Sequence, residues 1–219
     1  SKWEGPLATL MLPSNTGGAN WQGGSFDPET KVFYIFTNTN ISAHGLVQDA
    51  NRSQMNYVSG RATDPNAKSG GGPVGAAALT VQGLPLVKPP YGRITALDLN
   101  QGALLWQIAH GDTPDNIRNH AALKGLTIPR TGRTGRIGVL TTKTLVIAGE
   151  GGFNTTPDGR GAYLRAYDKR TGADAGQVFM PAPQTGSPMT YMLDGTQYIA
   201  VAASGPGFPG EMVVYKLAQ

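Results

Sequence analysis

One strand-turn-strand pattern occurs twice in this chain, seventy positions apart. Residues 96–102 read ALDLNQG and residues 166–172 read AYDKRTG, so Ala, Asp and Gly stand in the same register in both copies. The Asp carboxylate caps a turn of this kind, while the Gly adopts the positive φ that returns the chain. A looser third copy, FDPETK, covers residues 26–31. Repeated strand-turn-strand units are typical of β-propeller blades.

The composition and the local patterns agree with an all-β chain that has many turns. Glycine accounts for 31 of 219 residues, about twice its usual share, and charged residues account for 15%. Runs rich in aromatic and β-branched residues recur between turn signals, and the dipeptide Asp194-Gly195 predicts a tight hairpin. One or two helical turns are expected over residues 115–124, ending at Gly125.

We expect a single domain over residues 1–219. Residues 41–90 are mostly loop-like and form a long insertion, which is typical of a functional loop. Cysteine is absent, which excludes disulfides, thiolate nucleophiles and cysteine-ligated zinc. No apolar run reaches the length of a membrane-spanning helix.

The net charge of +4 is scattered along the chain rather than concentrated in one segment. The densest basic stretch, residues 130–136, is spaced by Thr and Gly and contains no aromatic residue. A solvated loop is therefore favoured over a nucleic-acid-binding patch, and no nucleic-acid partner is expected.

Other catalytic and metal-binding patterns are incomplete. The three histidines, His44, His110 and His120, are too scattered to predict a zinc site. The glycine-rich residues 149–152 lack the strand-glycine-helix context of a nucleotide-binding fold, and Ser204 lacks a Gly-x-Ser-x-Gly motif. We therefore predict no metal site in this chain and assign no catalytic residue.

An Asn-Trp pair stands between two glycine pairs in the stretch GGANWQGG, residues 17–24, immediately before a predicted strand. Glycines let a backbone approach a flat group closely, which indicates a planar ligand near Asn20 and Trp21. The residue types alone also fit a buried Trp beside a turn Asn, so both interpretations stay open at this point.

The full pattern Ala-x-Asp-x-x-x-Gly-x-x-x-Trp, which ends at Trp106, resembles the tryptophan docking motif of the quinoprotein dehydrogenases. These are the PQQ-dependent alcohol and glucose dehydrogenases, and the resemblance is strongest to their glucose dehydrogenase-like branch. Several further stretches resemble the same family, namely residues 17–30, 84–107, 111–126, 163–172 and 187–205. The order of these stretches along the chain matches the C-terminal part of the family.

The resemblance implies an all-β fold of the quinoprotein β-propeller type. Family members have eight blades, of which a chain of this length would hold roughly three to four. The resemblance also implies that the family's Ca²⁺ ligands and its catalytic Asp come from the missing N-terminal blades. The remaining blades, in the same polypeptide or another chain, would then be partners of this one.

The resemblance assigns site residues as well. It implies that Asn20 hydrogen-bonds the polar edge of PQQ with Trp21 beside it, because an amide offers both a donor and an acceptor. It also makes Phe208 a candidate wall of the substrate pocket, although a buried Phe in an exposed turn fits equally well. Two positions depart from the family: Gly176 stands where a second docking Trp is expected, and Gly161 where an acidic residue is common.

The implied function is oxidation of a sugar or alcohol hydroxyl, with electrons passing to PQQ and then to a quinone or cytochrome, in the periplasm. The chain alone is expected to be inactive, since the base and the metal ligands are not found in it. The alternative is a non-catalytic propeller scaffold or binding module. Gly161, Gly176 and the missing blades favour the scaffold, whereas the glycine-flanked Asn20-Trp21 pair argues against it.

Overall fold

The computed structural model describes residues 8–60 and 79–217, and strands dominate them. The described residues contain one short helix, α1, at Asp115–Arg118 and one 3₁₀ turn at Ala121–Leu123. No helix in these ranges is long and apolar enough to span a membrane. In chain order the strands are β1 Thr9–Met11, β2 Gly24–Asp27, β3 Val32–Asn38, β4 Ser42–His44, β5 Leu46–Val47, β6 Val58–Ser59, β7 Thr80–Val81, β8 Leu84–Pro85, β9 Gly92–Asp98, β10 Ala103–Ala109, β11 Leu140–Thr141, β12 Leu145–Gly149, β13 Asn154–Thr156, β14 Gly159–Asp168, β15 Asp174–Met180, β16 Met189–Leu193, β17 Thr196–Gly205 and β18 Phe208–Lys216.

The chain divides into two compact units, one formed by residues 1–18 and 39–88 and the other by residues 19–38 and 89–219. The first unit contains three antiparallel strand pairs, β1 with β4, β5 with β6 and β7 with β8. Each of these strands has only two or three residues. The expected insertion at 41–90 falls almost wholly in this unit, and its residues 61–78 lie outside the described part.

The second unit contains three antiparallel sheets, which we call blades 1, 2 and 3. Blade 1 has the strand order β10-β9-β3-β2, and blade 2 has the order β11-β12-β14-β15, with β13 paired to the start of β14. Blade 3 has three strands in the order β16-β17-β18. Two four-stranded blades and one three-stranded blade agree with the expected partial propeller.

Buried and partly buried residues alternate along β3, and this alternation determines which face of blade 1 packs in the core. Val32, Tyr34 and Phe36 are buried and point to one side, which is the period-two pattern of a strand with one face in the core. On that side they pack with Ile94 and Val146 in one apolar cluster that joins blade 1 to blade 2. The blades therefore stack face to face, as the repeat predicts.

Trp106 docks blade 1 onto the turn of blade 2. Its indole N–H donates to the carbonyl of Lys169 at 3.1 Å, and the side chain is buried. A Cβ on Gly172 would lie 2.9 Å from the indole ring, so this position requires glycine both for its positive φ and for the close approach. The repeat motif thus describes a contact between neighbouring blades.

Among the described residues, no tryptophan joins blades 2 and 3. Gly176, which stands in the place of the second docking Trp, has no atom within 4 Å of a Cβ built on it. A second apolar cluster, which includes Met180, Ile199 and Val201, fills this interface instead. The Tyr215 hydroxyl adds a hydrogen bond to the Phe179 carbonyl at 2.7 Å.

The local turn predictions agree with the structure. Asp194 and Gly195 connect β16 to β17 with φ values of 48° and 75°, which is the left-handed conformation that an Asp-Gly hairpin uses. The helical turns over 115–124 are α1 and the 3₁₀ turn, and Gly125 follows them with a φ of 84°.

Candidate functional site

The segments that precede blades 1 and 2 meet at one end of the sheets. β2 begins at Gly24 and pairs antiparallel with β3, so residues 19–23 and Asn38 lie at the same end of blade 1. The Asn38 amide donates to the Gly135 carbonyl at 3.0 Å, and its oxygen accepts from the Gly135 N–H at 2.9 Å. The segment that leads into blade 2 is therefore fixed against blade 1 at this end.

A cavity of about 540 Å³ lies at the same end and contacts blades 2 and 3. This volume is typical of a small-molecule site. Four short segments line the cavity: residues 134–136, 151–153, 183–185 and 204–206. Three of them are connections between strands and the fourth is the end of β17 with its hairpin turn, so the blades act as a frame that holds these segments around one space.

Glycines allow these loops to approach one another closely. A Cβ on Gly151 would overlap the backbone of Gly135, and a Cβ on Gly205 would lie 2.6 Å from the Phe153 ring. Any larger residue at these positions would push the loops apart. The shape of the cavity therefore depends on the glycines that line it.

Gln184 fixes the inner wall of the cavity. It is 2% exposed; its side-chain oxygen accepts from the Gly149 N–H at 2.5 Å and its side-chain nitrogen donates to the Gly138 carbonyl at 2.8 Å. Gly149 ends β12 of blade 2 and Gly138 lies in the segment that leads into blade 2, whereas Gln184 precedes blade 3. One buried amide thus joins the two blades directly beside the cavity.

Glu150 anchors the loop at residues 151–153. Its side chain is fully buried, and Oε1 accepts from the Arg165 Nε at 2.7 Å and from the Asp112 N–H at 2.9 Å. The Arg165 guanidinium also reaches the Asp112 carboxylate at 2.7 Å. A buried carboxylate is retained only with such partners, so this network sets where the loop starts.

His110 supports the strand that ends at this loop. Its Nε2 lies 3.0 Å from the Gly149 carbonyl and its Nδ1 lies 2.9 Å from the Tyr167 hydroxyl. Complete burial lowers the pKa of His110 to about 4, so the ring is neutral at pH 7. The neutral ring donates from Nε2 to the carbonyl and accepts at Nδ1 from the hydroxyl.

Asn20 and Trp21 lie in the loop at the same end of blade 1, and both are exposed. Trp21 is 98% exposed, which excludes the interpretation of a buried core tryptophan. The Asn20 side-chain oxygen accepts from the Trp21 N–H at 2.8 Å, and the Gln22 carbonyl accepts from the Ser187 hydroxyl at 3.4 Å. The loop therefore contacts the segment that leads into blade 3, but neither Asn20 nor Trp21 lines the cavity.

Phe208 is half-buried at the start of β18, where it pairs with Gly205. It follows the cavity segment 204–206 but does not line the cavity. The aromatic residue in the lining is Phe153, which sequence reasoning did not single out. Its signal is the glycine run at residues 149–152 directly before it, which is a loop feature here rather than a nucleotide motif.

Sequence reasoning also missed Glu150, Arg165 and Gln184, whose partners lie far away along the chain. Within the part of the chain that the structure describes, no group of three or more His, Cys, Asp or Glu side chains is arranged to hold a metal ion. The geometry here supports ligand binding by loops, aromatic rings and cations.

Solved structures with a similar fold are quinohemoprotein alcohol dehydrogenases. The enzyme ADHIIG from Pseudomonas putida HK5 superposes with a TM-score of 0.54 at 19% identity, over 95% of this chain and 25% of that one. The enzyme from Comamonas testosteroni gives a TM-score of 0.53 at 22% identity, over 89% of this chain and 24% of that one. These matches confirm the all-β propeller fold.

Relatives by sequence are named as dehydrogenases. This chain is 29% identical to the glycerol dehydrogenase large subunit of Gluconobacter thailandicus over 95% of its length and 30% of the relative. It is 29% identical to quinoprotein glucose dehydrogenase A of Acinetobacter calcoaceticus, over 91% of its length and 24% of the relative. It is 27% identical to a probable quinate dehydrogenase (quinone) of Xanthomonas campestris pv. juglandis, over 92% of its length and 25% of the relative.

The chain thus spans less than a third of the length of these relatives. The family described as "PQQ: Glucose/ethanol/alcohol dehydrogenase, beta-propeller domain" matches residues 5–199, which is most of the chain. The three blades, the docked Trp106 and this match agree with one another. The chain belongs to the β-propeller family of the PQQ-dependent glucose, ethanol and alcohol dehydrogenases.

Proposed function

We propose that this chain is the C-terminal part of a quinoprotein dehydrogenase. The enzyme oxidises a hydroxyl group of a sugar or alcohol, reduces PQQ, and passes the electrons to a quinone or cytochrome. Family membership supports the reaction class, and the relatives' names cover glycerol, glucose and quinate. The observation that carries the proposal for these residues is the exposed Asn20-Trp21 loop, which lies at the same end of the blades as the cavity.

The residues present fit PQQ, which is a planar, fused-ring quinone with carboxylate groups. Trp21 offers an uncovered aromatic face for stacking, and Arg136 in the cavity lining offers a cation for a carboxylate. Gln22 has a buried side-chain oxygen with no hydrogen-bond partner among the described residues. When bound, the quinone accepts two electrons and thereby supplies the redox chemistry.

The residues of this chain bind and orient rather than transfer protons. The hydrogen bond from the Trp21 N–H to Asn20 fixes the direction of the Asn20 amide. The glycines at positions 135, 151 and 205 let the loops that line the cavity approach one another closely. Such preorganised positioning is the usual contribution of a protein to a cofactor reaction.

The catalytic base and Ca²⁺ ligands come, in this proposal, from N-terminal blades outside this chain. Ca²⁺ takes six to eight oxygen ligands, with carboxylates prominent among them. The described residues hold no acidic cluster of that kind. We therefore expect the 219 residues alone to be inactive, and we place the complete enzyme in the periplasm, as the family resemblance implies.

The remaining blades are proposed to cover two apolar sheet faces. On blade 1, Phe26, Phe33, Leu97 and Leu104 are cross-strand neighbours in one row, on the side opposite the core. Phe26 and Leu104 are 46% and 57% exposed. In a propeller, an apolar sheet face of this kind is covered by the next blade. We therefore propose that a neighbouring blade covers this row.

Blade 3 presents the second such face. Met189 and Val214 flank Ala200 across the sheet, and Met212 pairs with Ala202 on the same side. Met189, Met212 and Val214 are about half exposed or more. Within the described residues, blade 3 has three strands where its neighbours have four, so β18 has an open edge there that one further strand would complete.

A non-catalytic scaffold is the second candidate. Gly161 occupies the position where an acidic residue is common in the glucose dehydrogenase-like branch, and Gly176 replaces the second docking tryptophan. A scaffold would have no use for an uncovered Trp21 at the same end of the blades as a glycine-lined cavity. Cofactor binding therefore separates the two candidates.

The test is a titration of the 219-residue chain with PQQ, with and without Ca²⁺. Binding is measured by isothermal calorimetry and by tryptophan fluorescence. Asn20→Ala is expected to weaken binding about fivefold, which corresponds to one lost hydrogen bond. Trp21→Ala is expected to weaken it about threefold to tenfold through lost stacking. Asn116→Ala, at an exposed position of α1, is the matched control and should bind like the parent chain.

The same titration should then be made on the complete polypeptide with Ca²⁺. Binding that neither Asn20→Ala nor Trp21→Ala weakens would contradict the assigned contacts. A complete polypeptide that does not bind PQQ at all would favour the scaffold.

A further inference from the structure

The lining of the cavity carries charge of one sign only. The cavity is formed by residues 134–136, 151–153, 183–185 and 204–206. Arg136 is the one ionisable side chain in its lining, and no Asp or Glu is part of it. Arg136 is exposed and forms no hydrogen bond or ion pair with another residue of the described ranges. A cation in a loop-lined cavity with no partner of its own is suited to bind an external anion.

A second cation stands at the edge of the same cavity. The Arg160 guanidinium carbon lies 3.5 Å from the centroid of the Phe153 ring, and its Nη2 donates to the Pro206 carbonyl at 3.4 Å. Phe153 and Pro206 both line the cavity. Neither contact neutralises the charge, because a ring face and a carbonyl carry no formal charge.

A third cation, Arg133, lies near acidic side chains and does not line the cavity. Its guanidinium donates to the Phe153 carbonyl and packs beneath Gly152. Glu150, Asp115 and Asp112 act on it electrostatically. Arg165 forms ion pairs with Glu150 and Asp112, whereas neither Arg136 nor Arg160 forms an ion pair in the part of the chain that the structure describes. The uncompensated charge at the cavity is therefore positive.

We propose that this cavity binds a carboxylate group of an organic anion, with Arg136 as the residue that contacts it. A guanidinium offers a planar fork of N–H donors that matches the two oxygens of a carboxylate. The Phe153 ring, held in place by Arg160, forms the wall against which the carbon frame of the anion packs. The Gln184 amide, which hydrogen-bonds Gly149 and Gly138, forms the opposite wall of the cavity.

Two ligands of this chemistry follow from the proposed function, on which this inference rests. One is the PQQ cofactor, which carries carboxylates, and the other is a hydroxy-acid substrate. A relative named as a quinate dehydrogenase acts on such an acid. Both ligands would place one carboxylate at Arg136, and binding measurements with each ligand show which of the two the cavity binds.

The experiment measures binding of PQQ, of quinate and of uncharged glycerol to the 219-residue chain by isothermal calorimetry. The variants are Arg136→Gln, Arg136→Lys and the control Arg170→Gln, which removes an exposed arginine from the turn between β14 and β15. Arg136→Gln should weaken binding of at least one of the two anions by about tenfold or more, with the glycerol signal unchanged. Arg136→Lys should recover part of the loss, because the charge returns without the fork.

The pattern of loss identifies the source. Weaker PQQ binding with quinate unchanged assigns the carboxylate to the cofactor, and the reverse assigns it to the substrate. The inference is overturned if the chain binds neither anion, if Arg136→Gln weakens neither, or if Arg170→Gln has the same effect. Arg136-dependent binding of quinate by a chain that never binds PQQ would keep this inference and contradict the proposed dehydrogenase.

Discussion

Lys169 connects two blades through its side chain and through its backbone. Its Nζ lies 2.6 Å from the Asp27 carboxylate, and both side chains are buried. Its carbonyl accepts hydrogen bonds from the Trp106 indole and from the Tyr34 hydroxyl at 2.9 Å. One residue in the turn of blade 2 therefore satisfies three groups of blade 1.

The Asp27–Lys169 pair predicts a specific loss of stability in acid. The hydrogen bond from Lys169 lowers the pKa of Asp27 from 3.8 to about 2. A carboxyl group with a depressed folded-state pKa contributes stability above its unfolded pKa and loses it as the pH falls through the folded value. The contribution should therefore be complete above about pH 4 and disappear near pH 2.

The variant Asp27→Asn should lower the free energy of unfolding by about 3 kcal/mol at pH 7, because Lys169 stays buried without its counter-charge. The difference from the parent chain should shrink between pH 4 and pH 2, as measured by urea unfolding across that range. Asp194→Asn, at an exposed turn, serves as the control. A difference that does not change with pH would show that this pair does not titrate as described.

Single residues also show how far the sequence allowed prediction. The docking role of Trp106 was implied by the resemblance to the family's docking motif, and the structure places its indole against Gly172, the turn glycine of the second copy. The pair Asp27–Lys169 is separated by 142 positions, and Glu150 meets Asp112 across 38 positions. Contacts of this kind depend on how the blades stack, which no local pattern encodes.

At the scale of elements, tight hairpins and short connections determine where the loops of the site lie. The Asp194-Gly195 turn aligns β16 with β17 over five residue pairs, from Met189 with Ala200 to Leu193 with Thr196. The strands and turns were predictable because alternation and Asp-Gly chemistry are local signals. The cavity was not, since its four lining segments come from residues up to 72 positions apart, from 134 to 206.

The turn itself provides a test of this local control. Gly195 has a φ of 75°, and a Cβ built on it meets no atom within 4 Å. Gly195→Ala should therefore cost about 1 kcal/mol through backbone strain alone. Gly210→Ala, where the space is also open and the φ is not in the left-handed region, is the matched control and should be nearly neutral. Thermal unfolding of both variants measures the difference, and equal effects would contradict the strain argument.

At the scale of the whole molecule, the described blades are a stack with two unlike apolar ends. The row of Phe26 and Leu104 on blade 1 differs in sequence and strand count from the face of Met212 and Val214 on blade 3. Contacts between unlike faces are heterologous, so copies of the chain would associate head to tail.

The isolated chain is therefore expected to self-associate at micromolar concentration, which size-exclusion chromatography with light scattering would detect. Leu104→Lys and Met212→Lys should each reduce association, because either one blocks one of the two unlike faces. Asn100→Lys, in an exposed turn of blade 1, is the control for added charge. A chain that stays monomeric throughout would contradict the proposal that further blades cover these faces.

The two blade interfaces are also unequal, and this inequality has a consequence for how the molecule opens. Trp106, the Asp27–Lys169 pair and the Tyr34 hydroxyl all join blade 1 to blade 2, while no tryptophan of the described ranges joins blades 2 and 3, where Gly176 stands. In an array where each unit contacts only its neighbours, the weaker interface separates first. Backbone amides of blade 3 should then exchange with solvent as a separate cooperative unit, before those of blades 1 and 2, which would protect each other as a pair.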